Sequence, residues 1–233
     1  MTIASIAQRL RRSLVDSAGT IVFGMEDGTV SIFGLIFGVA ATTTSTATVL
    51  IAGATGAAAA AVSMMAGAYL DAETTADGSK ASRLDLKSEL ALNAESLSAS
   101  LAARLAASGL SPEQCAALTG AVKNDRTALG GLLLALAAAP QTAPNPWEQA
   151  LWMLFADFFA AAVPILPFVF LPLPRARLVS ALVTTMLLVA LGIGRAQIAK
   201  RNLVRTVLET VTVGVVAALA GVGIGVLIDR SFS

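Results

Sequence analysis

Five apolar stretches limit what this chain can fold into more strongly than any other feature of its sequence. A helix needs about 20 mostly apolar residues to cross the hydrocarbon core of a bilayer. Five stretches approach that length: 20–43, 47–70, 147–171, 177–196 and 206–228. The composition agrees, because 56% of the residues are hydrophobic and 13% are charged. The sequence therefore predicts an all-α membrane protein with five transmembrane helices.

The lysines and arginines predict the orientation of these helices, since short cytoplasmic segments carry more of them than outer segments do. With a cytoplasmic N-terminus, the short inner segments hold seven, namely Arg9, Arg11, Arg12, Arg195, Lys200, Arg201 and Arg205. The outer segments hold three, namely Arg175, Arg177 and Arg230. We expect the N-terminus in the cytoplasm and the C-terminus outside. The short termini and the lack of a targeting segment favour a bacterial-type plasma membrane.

Two polar segments complete the predicted organisation. Residues 1–19 form an N-terminal cytoplasmic arm, in which a helix over 3–15 places its apolar residues on one side, as suits the membrane interface. These apolar residues are Ile3, Ile6, Leu10 and Leu14. A solvated arm is the alternative. Residues 71–145 hold most of the charged residues outside the apolar stretches. We expect them to be a cytoplasmic helical insertion between transmembrane helices two and three. Transmembrane helices 1 and 2 then lie within 20–70, and helices 3 to 5 within 146–233.

Local patterns predict helices inside this insertion. Leucines at helical spacing give an apolar stripe on a helix over 80–107, namely Leu86, Leu90, Leu97, Leu101 and Leu105. Gly109 is expected to end that helix. Ser111 and Gln114 have the spacing of a capping box that starts the next helix, and a third helical stretch follows over 126–138.

Missing residue types exclude several classes of function. The chain has no histidine and a single cysteine, Cys115, so it has no histidine base for a nucleophile and no internal disulfide. Its net charge of +1 does not provide the concentrated basic face that nucleic-acid binding requires. We therefore expect neither an enzyme nor a nucleic-acid-binding protein, and no permanently bound cofactor. Cys115 itself is expected to be a small buried residue.

Two adjacent carboxylates, Glu26 and Asp27, interrupt the first apolar stretch. A charged side chain at the centre of a membrane helix costs about 2.5–3.5 kcal/mol on insertion scales, so such a residue usually has a partner or a function. Both acids are therefore candidates for binding a metal ion and for coupling its movement to protons. The alternative is that both lie near the membrane interface and are hydrated.

Small residues surround these acids on one face of the first span, and the second span carries a matching row. The first row includes Thr20, Gly24, Gly28, Ser31 and Gly38, and the second includes Gly53, Gly56, Ala60 and Gly67. We expect the two helices to pack together and to bring Met64 or Met65 towards Asp27. A thioether beside a carboxylate suits a borderline divalent ion better than Mg²⁺ or Ca²⁺.

Two isolated acids in later spans are secondary candidates for carrying protons. They are Asp157 in the third span and Glu209 near the start of the fifth. Arg205 lies four residues before Glu209, so an interfacial ion pair is the alternative for that side chain.

Three stretches carry a wider pattern: IVFGMEDG at 21–28 followed by GLIFGVA at 34–40, VSMMAGAYL at 62–70, and VPILPF at 163–168. Together they resemble the vacuolar iron transporter family, and the region around Glu209 is similar to the family's last span. The likeness runs through nearly the whole chain in order, with the same five spans and the same insertion after the second.

The resemblance implies a homodimer whose first spans line a central pathway. Through it, ferrous iron, and sometimes manganese, leaves the cytoplasm in exchange for protons. On this resemblance Asp27 matches the family's mid-membrane carboxylate and Met64 its metal-contacting methionine. Asp16 falls where the family has an acid near the cytoplasmic entrance of the pore.

The sequence also departs from the family pattern. Thr20 and Gly56 stand where many members have acids, and Glu26 is placed to compensate. The insertion has few acids, with leucines where methionine and glutamate ligands would be expected. We therefore expect it to be a structural or dimer-forming element.

Our preferred hypothesis is a proton-coupled exporter of divalent metal ions. One alternative is a transporter of another cation or of an organic solute that uses the same acid for coupling. Another is a membrane scaffold that transports nothing.

Overall fold

The computed structural model of the protein describes residues 3–92, 94–137 and 145–232. Every regular element in these residues is an α-helix. The bounds are α1 Ile3–Asp16, α2 Ala18–Thr42, α3 Thr46–Leu92, α4 Ala94–Ala107, α5 Pro112–Val122, α6 Arg126–Ala137, α7 Pro146–Phe170, α8 Leu173–Ile198 and α9 Leu203–Phe232. Five helices are long and apolar enough to cross a membrane, namely α2, the Thr46–Gly78 part of α3, α7, α8 and α9. The prediction of an all-α integral membrane protein with five helices of spanning length is confirmed.

The observed helices differ from the predicted stretches mainly at their ends. The second apolar stretch begins α3 as expected, but the helix continues past it to Leu92. The predicted helix over 80–107 is helical at 80–92, as the end of α3, and at 94–107, as α4. Its start differs from the prediction, because α3 begins at Thr46, and residue 93 lies outside the described part of the chain. Polar residues can extend an apolar helix since most of them have good helix propensity, and α3 contains no proline.

Residues 1–71 and 144–233 form one of two compact units in the chain. Within it, α2 packs against α7, α8 and α9. Glycines on α2 let the neighbouring helices come close: a Cβ added at Gly24 would lie 2.6 Å from Sδ of Met153 on α7. A Cβ at Gly38 would lie 2.5 Å from the carbonyl oxygen of Gly221 on α9. The row of small residues on α2 therefore contacts α7 and α9.

The glycines of α3 meet large side chains of α2. A Cβ at Gly53 would lie 3.0 Å from Cγ2 of Ile36, and one at Gly56 would lie 3.3 Å from Cδ1 of Ile32. The first two spans are therefore in side-chain contact, but the close approach predicted from their two rows of small residues is not seen, because the rows do not face each other. The core at this contact includes Ile32, Ile36, Val49, Ala57 and Phe168.

Helix α1 is tied to the start of α7 by hydrogen bonds. The indole Nε1 of Trp152 donates to the hydroxyl of Ser13 at 3.0 Å, and that hydroxyl donates to Glu148 at 2.8 Å. Arg9 adds an ion pair with Glu148 at 3.3 Å. The predicted helix is present, and Leu10 is exposed on its surface, which fits an interfacial helix. The side chains of Ile3 and Ile6 lie outside the described part of the chain.

Residues 72–143 form the second compact unit. Its core joins α4, α5 and α6 through buried leucines and the predicted buried cysteine, namely Leu97, Leu101, Leu105, Cys115, Leu129 and Leu133. The leucine stripe is confirmed for its three members on α4, whereas the side chains of Leu86 and Leu90 lie outside the described part.

Local end signals in this second unit act as predicted. Gly109 follows α4 with a φ of +89°, which favours glycine. Ser111 Oγ accepts from the backbone N–H of Gln114 at 3.3 Å, and the backbone N–H of Ser111 donates to the Gln114 side chain at 3.0 Å. The predicted capping box therefore starts α5.

Candidate functional site

Glu26 and Asp27 both line a cavity of about 330 Å³ in the first unit. The cavity lies between α2, the end of α8 and one residue of α9. Its lining is otherwise mainly apolar, and consists of Gly19, Val22, Phe23, Glu26, Asp27, Val30, Arg195, Ile198, Ala199 and Val213. At about 1.5 Å per residue, Asp27 lies about 14 Å along α2 from its first residue, Ala18. Both acids are therefore well inside the apolar helix.

Glu26 is held by side chains from two other helices. Nη1 of Arg195 on α8 donates to its two carboxylate oxygens at 3.0 and 3.3 Å. The hydroxyl of Thr210 on α9 donates to Oε1 at 3.2 Å. The Glu26 side chain is only 14% exposed. Because its ion pair is with Arg195, this carboxylate is neutralised by a cation of the chain itself.

Asp27 is in a different situation although it is the next residue. It is half-buried and lines the same cavity. Within the described part of the chain, no hydrogen bond or ion pair engages its carboxylate. A free carboxylate in a mostly apolar cavity is able to bind a cation or a proton.

Asp157 lies close to this site. The sequence led us to expect an isolated acid, but its position is next to α2. It is fully buried on α7, where a Cβ added at Gly28 of α2 would lie 2.9 Å from its Oδ1. Neither of its carboxylate oxygens has a hydrogen-bond partner among the described residues. The helices thus gather three acids, Glu26, Asp27 and Asp157, near one level of α2.

The two methionines of α3 are half-buried. The cavity at Asp27 is lined from α2, α8 and α9, so the expected approach of Met64 or Met65 to Asp27 is not seen within one chain. The reason is that α3 reaches α2 at Ile32 and Ile36, and the cavity opens on another side of α2.

The other two predicted acids lie apart from the cavity lining. Asp16 is exposed at the end of α1, three residues before Gly19, which lines the cavity. Glu209 pairs with Arg205 at 2.9 Å and with Arg201 at 3.9 Å. The ion pair that we gave as the alternative for Glu209 is therefore present.

Sequence reasoning missed Arg195 and Thr210 as partners of Glu26. Arg195 was counted only as an inner-loop charge, although it lies in the last turn of α8. Thr206, Thr210 and Gly214 form the buried face of α9 at a spacing of four residues. That polar row in an apolar helix was the available signal for a partner on another helix.

In the part of the chain that the structure describes, no group of three or more His, Cys, Asp or Glu side chains is arranged to hold a metal ion. The acids near Asp27 therefore do not form a complete metal cage in a single chain. Asp27 is the one of them that is both unpaired and open to the cavity.

Comparison with known proteins gives a consistent family. A model of the VIT family matches residues 18–226. The vacuolar iron transporter 1 of Eucalyptus grandis is 26% identical over 207 residues, covering 87% of this chain and 83% of that protein. The vacuolar iron transporter of Centaurea cyanus is 25% identical over 207 residues, covering 87% of this chain and 84% of that protein.

The match includes α2, α3, α7 and α8 completely and most of α9. Both relatives are named as transporters, so the prediction that the chain is not an enzyme is confirmed. The resemblance drawn from the sequence motifs is confirmed as well: the chain belongs to the VIT family.

Proposed function

We propose that the protein exports a divalent metal ion, Fe²⁺ and also Mn²⁺, from the cytoplasm in exchange for protons. The observation that carries this proposal is the contrast between two neighbouring acids. Glu26 is paired with Arg195, whereas Asp27 lines the same cavity without a partner among the described residues. The names of the two relatives, both iron transporters, support iron as the cargo.

Asp27 is the shared site for the metal ion and the proton. When it is ionised, its carboxylate attracts a cation into an apolar cavity where few other groups compete. When it is protonated, the charge disappears and the ion is released. Binding of one species therefore excludes the other, which is the requirement for exchange.

Met64 is the proposed second ligand. Gly53 lies against Ile36 and Gly56 against Ile32, and continuing this antiparallel register sets Met64 about level with residue 25 along α2, although on a different side of α2 from the cavity within one chain. A thioether favours borderline ions such as Fe²⁺ over Mg²⁺ or Ca²⁺. Met65 is a neighbouring substitute on the same helix.

A homodimer completes the site. Two copies of Asp27 facing a central pathway would balance the two charges of the ion, which one chain does not do. Apolar side chains at the rim of the cavity are exposed in the single chain, namely Phe23 at 56% and Val213 at 51%. Contact with a second copy would cover them.

We further propose that the N-terminus lies in the cytoplasm. Asp16 lies at the cytoplasmic entrance, one turn before the cavity lining begins at Gly19. The unit at 72–143 is a cytoplasmic element for structure or dimer formation, and the C-terminus is outside. Asp157 and Glu209 are secondary candidates for carrying protons, and the membrane is a bacterial-type plasma membrane.

Reconstituted vesicles with an acidic lumen test this proposal. We expect Fe²⁺ and Mn²⁺ to accumulate in the lumen, to a greater extent than Co²⁺ or Zn²⁺, and to stop doing so in Asp27→Asn. The matched control is Asp77→Asn, which removes a charge from an exposed pair with Lys80, and we expect it to transport normally. Gradient-driven movement of another solute would favour the rival transporter, and no movement of any solute would favour the scaffold.

A further inference from the structure

We infer that Arg195 is an internal cation that sets how strongly the neighbouring cavity holds a divalent metal ion. Its guanidinium neutralises Glu26, and this leaves Asp27 as the single uncompensated charge of the cavity. The inference rests on the proposed function, and it adds a residue that determines affinity from outside the ligand set.

The position of Arg195 is fixed by its helix and by its partners. It lies in the last turn of α8, where the negative end of the helix dipole favours a cation. Nη1 is 3.0 Å from Oε1 of Glu26, and the hydroxyl of Thr210 on α9 donates to the same oxygen at 3.2 Å. One carboxylate on α2 therefore joins α8 and α9 at the level of the cavity.

The charges of the cavity lining are few and can be counted. They are Glu26, Asp27 and Arg195, so the lining carries one net negative charge when both acids are ionised. Asp157 is buried beside Gly28, outside the lining, and it is unchanged in every variant compared below. Removing Arg195 would leave two, and removing Glu26 would leave none. A charge a few ångströms from a bound ion changes affinity by about tenfold or more at the effective dielectric constant typical of protein sites.

This arrangement has a consequence for transport. A cavity with two uncompensated acids would hold a divalent ion tightly and release it slowly. With Arg195 in place, the ion meets one acid from each chain of a dimer, which is enough for binding and still allows release by protonation of Asp27. Arg195 therefore favours turnover at the expense of affinity.

A purely structural role for the ion pair predicts something else. If Arg195 and Glu26 only hold helices together, removing either one weakens the fold, and metal affinity shifts in the same direction in both variants. If Glu26 is itself a ligand, its removal weakens binding whether Arg195 is present or not. The charge inference predicts opposite shifts for the two single variants, which a purely structural role does not, and it predicts that removing Arg195 as well restores the binding lost in Glu26→Gln, which a ligand role for Glu26 does not.

Binding of Mn²⁺ to the full chain in lipid nanodiscs tests this, with free Mn²⁺ measured by electron paramagnetic resonance. We expect Arg195→Gln to bind Mn²⁺ about tenfold more tightly than the unmodified chain, and Glu26→Gln to bind it about tenfold more weakly. Arg195→Lys keeps the charge and should shift affinity much less than Arg195→Gln. The double variant E26Q/R195Q should bind at least about fivefold more tightly than Glu26→Gln.

Two results would overturn the inference. One is unchanged or weaker Mn²⁺ binding in Arg195→Gln, and the other is a double variant as weak as Glu26→Gln. If a single variant does not fold, the double variant, in which neither Glu26 nor Arg195 is left as an unpaired charge, is compared with the unmodified chain, and a loss of more than about tenfold overturns the inference. Asp27→Asn is measured in parallel, because loss of binding there tests the proposed function and is independent of the sign at Arg195.

Discussion

The backbones of α2 and α9 touch at glycines, so one added methyl group should force them apart. A Cβ at Gly221 would overlap the carbonyl oxygen of Gly34, and it would lie 2.8 Å from the carbonyl carbon and 3.3 Å from the Cα of that residue. These are all backbone atoms, so no side-chain rotation relieves the contact. Two residues further along α9, a Cβ at Gly223 would have nothing within 4 Å.

The two positions therefore form a matched pair for Gly→Ala substitution. Alanine gains up to about 1 kcal/mol over glycine in a helix, and this gain applies equally to both variants. Overpacking costs about 1–3 kcal/mol, and it applies to Gly221→Ala alone. The free energy of unfolding of Gly221→Ala should thus be about 1–3 kcal/mol lower than that of Gly223→Ala.

Thermal unfolding in lipid nanodiscs measures this difference. A change of 1 kcal/mol shifts the midpoint by about 2–4 °C for a chain of this size, so the midpoint of Gly221→Ala should lie about 2–12 °C below that of Gly223→Ala. Equal midpoints, or a higher midpoint for Gly221→Ala, would show that the two helices do not meet at these glycines.

Three further predictions concern contacts away from the site. Hydrogen exchange, followed in the helix named for each variant, measures all three. Leu101→Ala removes a fully buried side chain and should destabilise the 72–143 unit by about 2–5 kcal/mol, with faster exchange in α4 than in the exposed control Leu118→Ala. Ser111→Ala removes the capping box and should loosen α5 by about 0.5–2 kcal/mol. Glu148→Ala removes the acceptor of Ser13 and should release α1 by about 1 kcal/mol.

Each of these three predictions has a clear contrary result. Equal exchange in Leu101→Ala and its control would contradict the buried core of the second unit. Unchanged exchange at the start of α5 in Ser111→Ala would contradict the capping box. For Glu148→Ala, exchange in α1 that matches the unmodified chain would mean that the helix is held by other contacts.

The helices and their end signals were predictable because they depend on local rules. Hydropathy and length are enough to place five spanning helices, since each must satisfy its backbone hydrogen bonds within the bilayer. The capping box at Ser111 and the end of α4 at Gly109 follow from short-range geometry. The continuation of α3 to Leu92 was missed because the prediction ended the helix where its apolar character ends, and a membrane boundary does not stop a helix.

The arrangement of the site was predictable only in part, because a pattern shows which face of a helix is special and does not show which helix covers it. The row of small residues on α2 was expected against α3, but its members Gly24 and Gly38 contact Met153 on α7 and Gly221 on α9. Asp27 was identified from its cost in an apolar helix. Its difference from Glu26 depends on Arg195, which is distant in sequence and arrives at the cavity only through the packing of α8.

The most direct test of the account follows metal and proton movement together in vesicles that contain the full chain. One dye reports Mn²⁺ in the lumen and a second reports the pH of the lumen. We predict that Mn²⁺ uptake and loss of protons from the lumen occur together, and that Asp27→Asn abolishes both. Undiminished Mn²⁺ uptake in Asp27→Asn, or uptake with no change in the pH of the lumen, would contradict the claim that one carboxylate serves both ions.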